Sequence, residues 1–145
     1  MGAMLPAFRL QASATEMNMR ALIIEPQVFT SFVIEDALRD AGYTSIVLVR
    51  TEDEAIAAAD ANPPDLVTAA VELEPGNGIR ATQAIRSRHD TAVLFITQRP
   101  AQVSAEEEDP VMVRKPFLAE QLAPAIAEAE LRRPLRRENK AIGAP

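Results

Sequence analysis

The chain predicts an α/β domain, a doubly wound, five-stranded parallel sheet covered by helices. Three observations lead there. Short apolar runs alternate with helical segments through the whole middle of the sequence. The runs lack the strict apolar–polar alternation of a half-exposed strand, so both faces of the sheet should be buried. The chain is 145 residues long and 48% hydrophobic, enough for one domain with a real core.

The elements follow in order. Ala21-Leu22-Ile23-Ile24 reads as a buried strand that ends at Glu25-Pro26, because proline stops the hydrogen-bond ladder. Val28, Phe29, Phe32, Val33, Ala37, Leu38 and Ala41 recur at three- and four-residue spacing, as in an amphipathic helix. Gly42 stands where a helix end favours a left-handed residue. Residues 46–49 form the second strand. Thr51-Glu52-Asp53-Glu54 has the form of a capping box, opening an alanine-rich helix that runs to about Asn62. Pro63-Pro64 breaks it, and 65–71 are the third strand. Residues 74–78 are a turn, followed by a helix to about His89. Residues 91–97 and 111–113 are the fourth and fifth strands, and Leu118 to about Leu131 is a final helix bent at Pro124. Phe29, Phe32, Phe95 and Phe117 are expected in the core, and His89 is a surface residue ending its helix.

Composition removes whole classes of chemistry. There is no cysteine, hence no disulfide, thiolate metal site or cysteine nucleophile. A single histidine rules out a histidine-rich metal site. No apolar run approaches a membrane span, and no secretory signal is readable, so a cytoplasmic location is expected. The net charge is −6, unevenly spread. Residues 129–145 hold five basic and two acidic groups, and residues 1–19 one of each, which leaves −9 for residues 20–128. An acidic body is a poor match for nucleic acid or an anionic membrane. We therefore expect a flexible leader over 1–19, a domain over 20–131 and a flexible basic tail over 132–145. In such sheets function lies beyond the carboxyl ends of the strands. Those ends are Glu25-Pro26, Val49-Arg50, Val71-Glu72, Thr97-Gln98 and Arg114-Lys115.

These ends resemble a known family. Ala21 to Glu25, Glu35 to Tyr43, Pro64-Asp65-Leu66-Val67, Asn77-Gly78-Ile79, Ile96-Thr97 and Lys115-Pro116-Phe117 follow one another as in the receiver domains of bacterial two-component response regulators. The resemblance spans about residues 20–130. It implies a flavodoxin-like, CheY-like fold with strand order 2-1-3-4-5. It also implies a reaction in which an aspartate after strand three takes a phosphoryl group from a histidine kinase. Mg²⁺ bound by two acids after strand one, a Ser/Thr after strand four and a Lys after strand five support that step. Such transfer needs a carboxylate nucleophile, hard oxygen ligands for the metal and positive charge for the phosphoryl oxygens.

Carried over residue by residue, the pattern is incomplete. The acidic pair falls on Glu25 and Pro26, and proline has no ligating side chain. The acceptor falls on Ala70, which has no nucleophile. Thr97 and Lys115 keep their types. The switch aromatic falls on Met112. The span Gln98–Pro110 is shorter than usual, so the fourth helix should be a turn or two, or missing.

The sequence thus reads as a stand-alone receiver-like signalling domain, or pseudo-receiver, in a phosphorelay context. It would be no enzyme, would need no cofactor, and would bind Mg²⁺ weakly or not at all. It would act by phosphorylation-independent contact with a protein: a histidine kinase, another regulator or itself. A homodimer through the strand-five and last-helix face is one form of this. The acidic run Glu106, Glu107, Glu108, Asp109 beside that face would suit a basic partner. The alternative is phosphotransfer at a non-standard carboxylate, with Glu72 or Glu74 as the nearest acids. A small-ligand site in the same crevice is disfavoured by the glycine-poor loop 25–27. Lys115 has two readings, a salt bridge to Glu25 or Glu72 that locks the strand ends, or a solvated lysine. Thr97 can equally be packing.

Overall fold

The computed structural model describes residues 18–134. Five strands form one parallel sheet: β1 (Arg20–Ile24), β2 (Ser45–Val49), β3 (Leu66–Ala69), β4 (Ala92–Thr97) and β5 (Met112–Arg114). Their spatial order is β2-β1-β3-β4-β5, as expected. The register places Val49, Ile24, Ala69, Phe95 and Met112 in one row across the sheet. One or a few residues past that row the chain leaves the sheet at Glu25, Ala70, Thr97 and Lys115. The register therefore brings the four segments to a common rim.

The helices are α1 (Val28–Asp40), α2 (Glu52–Ala61), α3 (Gly78–Arg88), α4 (Pro100–Glu106) and α5 (Leu122–Leu131). Alternate strand residues point to opposite faces, which separates two cores. On one face α1 and α5 cover Ala21, Ile23, Leu94 and Ile96. On the other α2, α3 and α4 cover Leu22, Ile24, Val67 and Phe95. Among the described residues no helix is long and apolar enough to cross a membrane.

Helix starts are explained by side-chain caps. The Thr51 hydroxyl accepts from the Glu54 amide at 3.1 Å, while Glu54 reaches back to the Arg50 amide at 3.0 Å. Asn77 Oδ1 accepts from the amides of Ile79 and Arg80, starting α3 immediately after the turn. Gly42 has φ +105°, which closes α1 in the left-handed region. At Gly78 a Cβ would lie 1.7 Å from the Ala70 carbonyl oxygen. Only glycine lets the first turn of α3 pack this closely on the end of β3.

Several expectations need correction. Phe29 and Phe32 are not core residues: 84% and 52% of their surfaces are exposed. The buried face of α1 is Ser31, Ile34 and Leu38, so the helix is rotated away from the aromatic stripe. Phe95 is buried, and Phe117 packs partly against the α1–α5 core. The final helix begins at Leu122 after a 3₁₀ turn over Ala119–Gln121, which puts Pro124 in the first helical turn. A missing amide proton costs nothing there, so the proline sits at the start of the helix and does not bend it midway. The third strand ends at Ala69, and Glu72–Leu73 pairs with Gly76–Asn77 in a short antiparallel bridge. α4 has seven residues, about two turns.

At the termini, Met19 accepts main-chain hydrogen bonds from Thr44 and Ser45, so the last residue of the expected leader already belongs to the sheet's framework. Arg132 pairs with Glu128 and Asp109, and Arg133 with Asp65, so the expected tail is docked at its start. Residues 1–17 of the expected leader and 135–145 of the expected tail lie outside the described residues.

Candidate functional site

A cavity of about 80 Å³ opens at the carboxyl rim of the sheet. Glu25, Pro26, Ala70, Glu72, Thr97 and Lys115 all line it, joined by Gln27 and Arg99. The six positions singled out at the strand ends are thus gathered in one place. Ala70 is buried between β1 and the start of α3, its amide bonded to the Ile24 carbonyl at 2.9 Å. It offers the cavity a methyl group.

The dominant interaction is the ion pair between Lys115 and Glu25. The ammonium lies 3.0 Å from Glu25 Oε1 and 3.1 Å from Oε2. Only the Oε2 contact has hydrogen-bond geometry, so Oε1 is buried at ion-pair distance without a hydrogen-bond donor. The side chains are 11% and 1% exposed, so the pair is largely removed from water. Gln27 completes the arrangement. Its amide donates to Glu25 Oε2 at 3.1 Å, and its side-chain oxygen accepts from the Lys115 ammonium at 3.3 Å. The Lys115 amide also donates to the Thr97 carbonyl at 2.8 Å, tying the end of β5 to the end of β4.

Thr97 is buried, and its hydroxyl oxygen accepts from the Arg99 amide at 2.7 Å. It therefore shapes the turn into α4. Glu72 points outward, 3.1 Å from the Arg99 guanidinium in an exposed pair. Lys115 thus chooses Glu25 over Glu72. Gln27 and Arg99 were not singled out in the sequence. Their roles come from contacts with distant or turning segments, and a glutamine after proline carries no signal of its own.

The remaining candidates are elsewhere. Met112 lies on β5 opposite Phe95, half-buried against the α2–α3–α4 core. The acidic run does not present four free carboxylates. Glu107 is held by Arg86 and Gln83, Asp109 pairs with Arg132, and Glu106 accepts from Gln102 at 3.3 Å. Three of the four carboxylates thus have partners within the fold, while Glu106, Glu108 and Asp109 stay exposed.

Residues 21–127 match the family model of the response regulator receiver domain. The chain belongs to that family. Among solved structures it is similar to the receiver domain of the response regulator PhyR from Erythrobacter litoralis, at 28% identity and a TM-score of 0.73, over 80% of this chain and 92% of that one. It is also similar to PhyR from Brucella abortus, at 26% identity and a TM-score of 0.72, over 93% of this chain and 58% of that one. A protein-glutamate methylesterase/protein-glutamine glutaminase from Haloarcula marismortui is 35% identical over 80 residues. That match takes in 55% of this chain, which spans only 22% of the relative's length.

Proposed function

We propose that this chain is a receiver domain whose phosphoacceptor position is Ala70, and that it signals by binding a protein partner without being phosphorylated. One observation carries the reading. Ala70 lies in the strand-end cavity among Glu25, Thr97 and Lys115, where the family would need a nucleophilic carboxylate. A methyl group accepts no phosphoryl group. The lysine that would meet the phosphoryl oxygens is engaged by Glu25.

The donor set also fits Mg²⁺ poorly. That ion needs several hard oxygen ligands in octahedral array. Pro26 supplies no side-chain oxygen, Glu25 is held by Lys115 and Gln27, and Glu72 turns to Arg99. A cation would have to displace the ammonium from Glu25. The same contacts count against phosphotransfer to another acid, since Glu25 is buried and paired with Lys115, and Glu72 is exposed and paired with Arg99.

The test is intact-mass measurement of the full chain after incubation with Mg²⁺ and a small-molecule acyl phosphate. The expected result is an unmodified mass. A stoichiometric gain of about 80 Da, one phosphoryl group, overturns the proposal and makes the protein a phosphotransfer regulator using a different carboxylate.

A further inference from the structure

A further surface adjoins the cavity, on the outward side of α1. Val28, Phe29, Phe32 and Val33 occupy the side opposite the buried Ser31, Ile34 and Leu38. The Phe29 and Phe32 rings stand edge to face, their centroids 6.5 Å apart, with most of Phe29 in water. Scattered apolar residues on a surface need no explanation, but a contiguous aromatic ridge does. Beside the ridge runs a groove of about 720 Å³, walled by Phe29 and Val33 on one side and by Phe117 and Leu118, after β5, on the other. Leu118 is 63% exposed.

Charge says what would cover it. Arg114 also lines the groove and is exposed, with no ion pair among the described residues. Asp36 is likewise exposed, with no ion pair among the described residues. It follows Phe32 by four residues and Val33 by three, so it continues the line of the ridge by one turn. The same face thus carries an apolar ridge ending in a carboxylate and a partly apolar groove holding the Arg114 guanidinium, with Lys115, already paired with Glu25, at its edge. Each feature complements the other, and a two-fold axis satisfies both at once.

We propose that this face binds a second copy of the chain. The α1 ridge of each copy enters the groove of the other, and Asp36 of one meets Arg114 of the other. It shares the end of β5 with the face expected at β5 and α5, but uses α1 in place of α5. The inference does not rest on the loss of the acceptor: a chain that took a phosphoryl group could still pair this way. A ridge of four side chains is small beside a standard interface of about 800 Å² per partner, so a reversible dimer in roughly the micromolar range is expected.

Sedimentation equilibrium of the full chain, from micromolar to millimolar concentration, tests it. The expected result is a monomer–dimer equilibrium. Phe29→Ser should weaken it by about tenfold or more. Asp36→Arg and Arg114→Asp should each weaken it, and the two combined should recover most of the loss. All three positions are exposed, so the fold should survive, and circular dichroism checks this. A monomer at every concentration overturns the proposal. So does a dimer indifferent to Phe29→Ser, or a charge exchange that fails to recover association.

Discussion

Lys115 and Glu25 are 90 positions apart in sequence and in contact in space. A lysine beside a sheet end with no carboxylate at Ala70 takes the nearest one that the register offers. The pair is shielded enough that its two members depend on each other. Removing one leaves a buried charge uncompensated, which costs about 3–5 kcal/mol. Lys115→Met should therefore destabilise the domain by that order in urea unfolding. The double variant Glu25→Gln/Lys115→Met should lose much less than the two single losses added together. If the single variants instead match wild type, Lys115 is only a surface lysine. Glu25, Thr97 and Lys115 are readable where the apolar runs stop, whereas Ala70 comes from the family resemblance, since the third apolar run continues to Val71. The choice of partner for Lys115 is not readable, since it depends on which carboxylate is turned inward. Glu72 lies close in space but faces Arg99.

At the level of elements, local chemistry was the most legible part and orientation the least. The Thr51 cap, the Gly42 stop and the proline break after α2 are side-chain or backbone effects within a few residues, so the sequence displays them directly. α1 carries two apolar stripes, one through Ile34 and Leu38 and one through Phe29 and Phe32. Periodicity alone does not decide which turns inward, and the larger aromatic stripe was the wrong choice. Glu52 is another case. It stands in the first turn of α2 within the capping-box segment, yet its carboxylate bridges to the start of α3. It accepts from the Asn77 amide at 2.9 Å and pairs with Arg80 at 3.0 Å. Hydrogen bonding from Arg80, reinforced by the Asn77 amide, holds its carboxyl below the usual glutamate range. The folded state therefore binds this proton less readily than the unfolded chain does. The stabilisation is complete above the ordinary glutamate range and is lost as pH falls through the depressed folded value. Glu52→Gln should lower stability at neutral pH and flatten the acid side of the stability profile, as read by thermal melts across pH. An unchanged acid limb would show that the bridge contributes nothing.

Across the whole molecule, the two buried faces follow from short apolar strands joined by helices, the sheet order is the one the receiver resemblance implies, and the chain belongs to the receiver family. Both ends of the sheet are tied. At the rim, Lys115 joins β5 to β1. At the opposite end, the Tyr43 phenol donates to Glu130 at 2.6 Å and Arg133 pairs with Asp65, pinning α5 to the sheet. Burial, then the bond to Glu130, raises the Tyr43 phenol well above its usual pKa, so it remains a donor at all physiological pH. The proposed function requires that the carboxyl-end cavity, with Ala70 in it, take no phosphoryl group. The most direct test is an amide-resolved NMR spectrum of the full chain with and without Mg²⁺ and beryllofluoride, a phosphoryl mimic that binds acceptor carboxylates. The account predicts superimposable spectra at Glu25, Ala70, Thr97 and Lys115. Saturable shifts at those amides, spreading to β5, would contradict it.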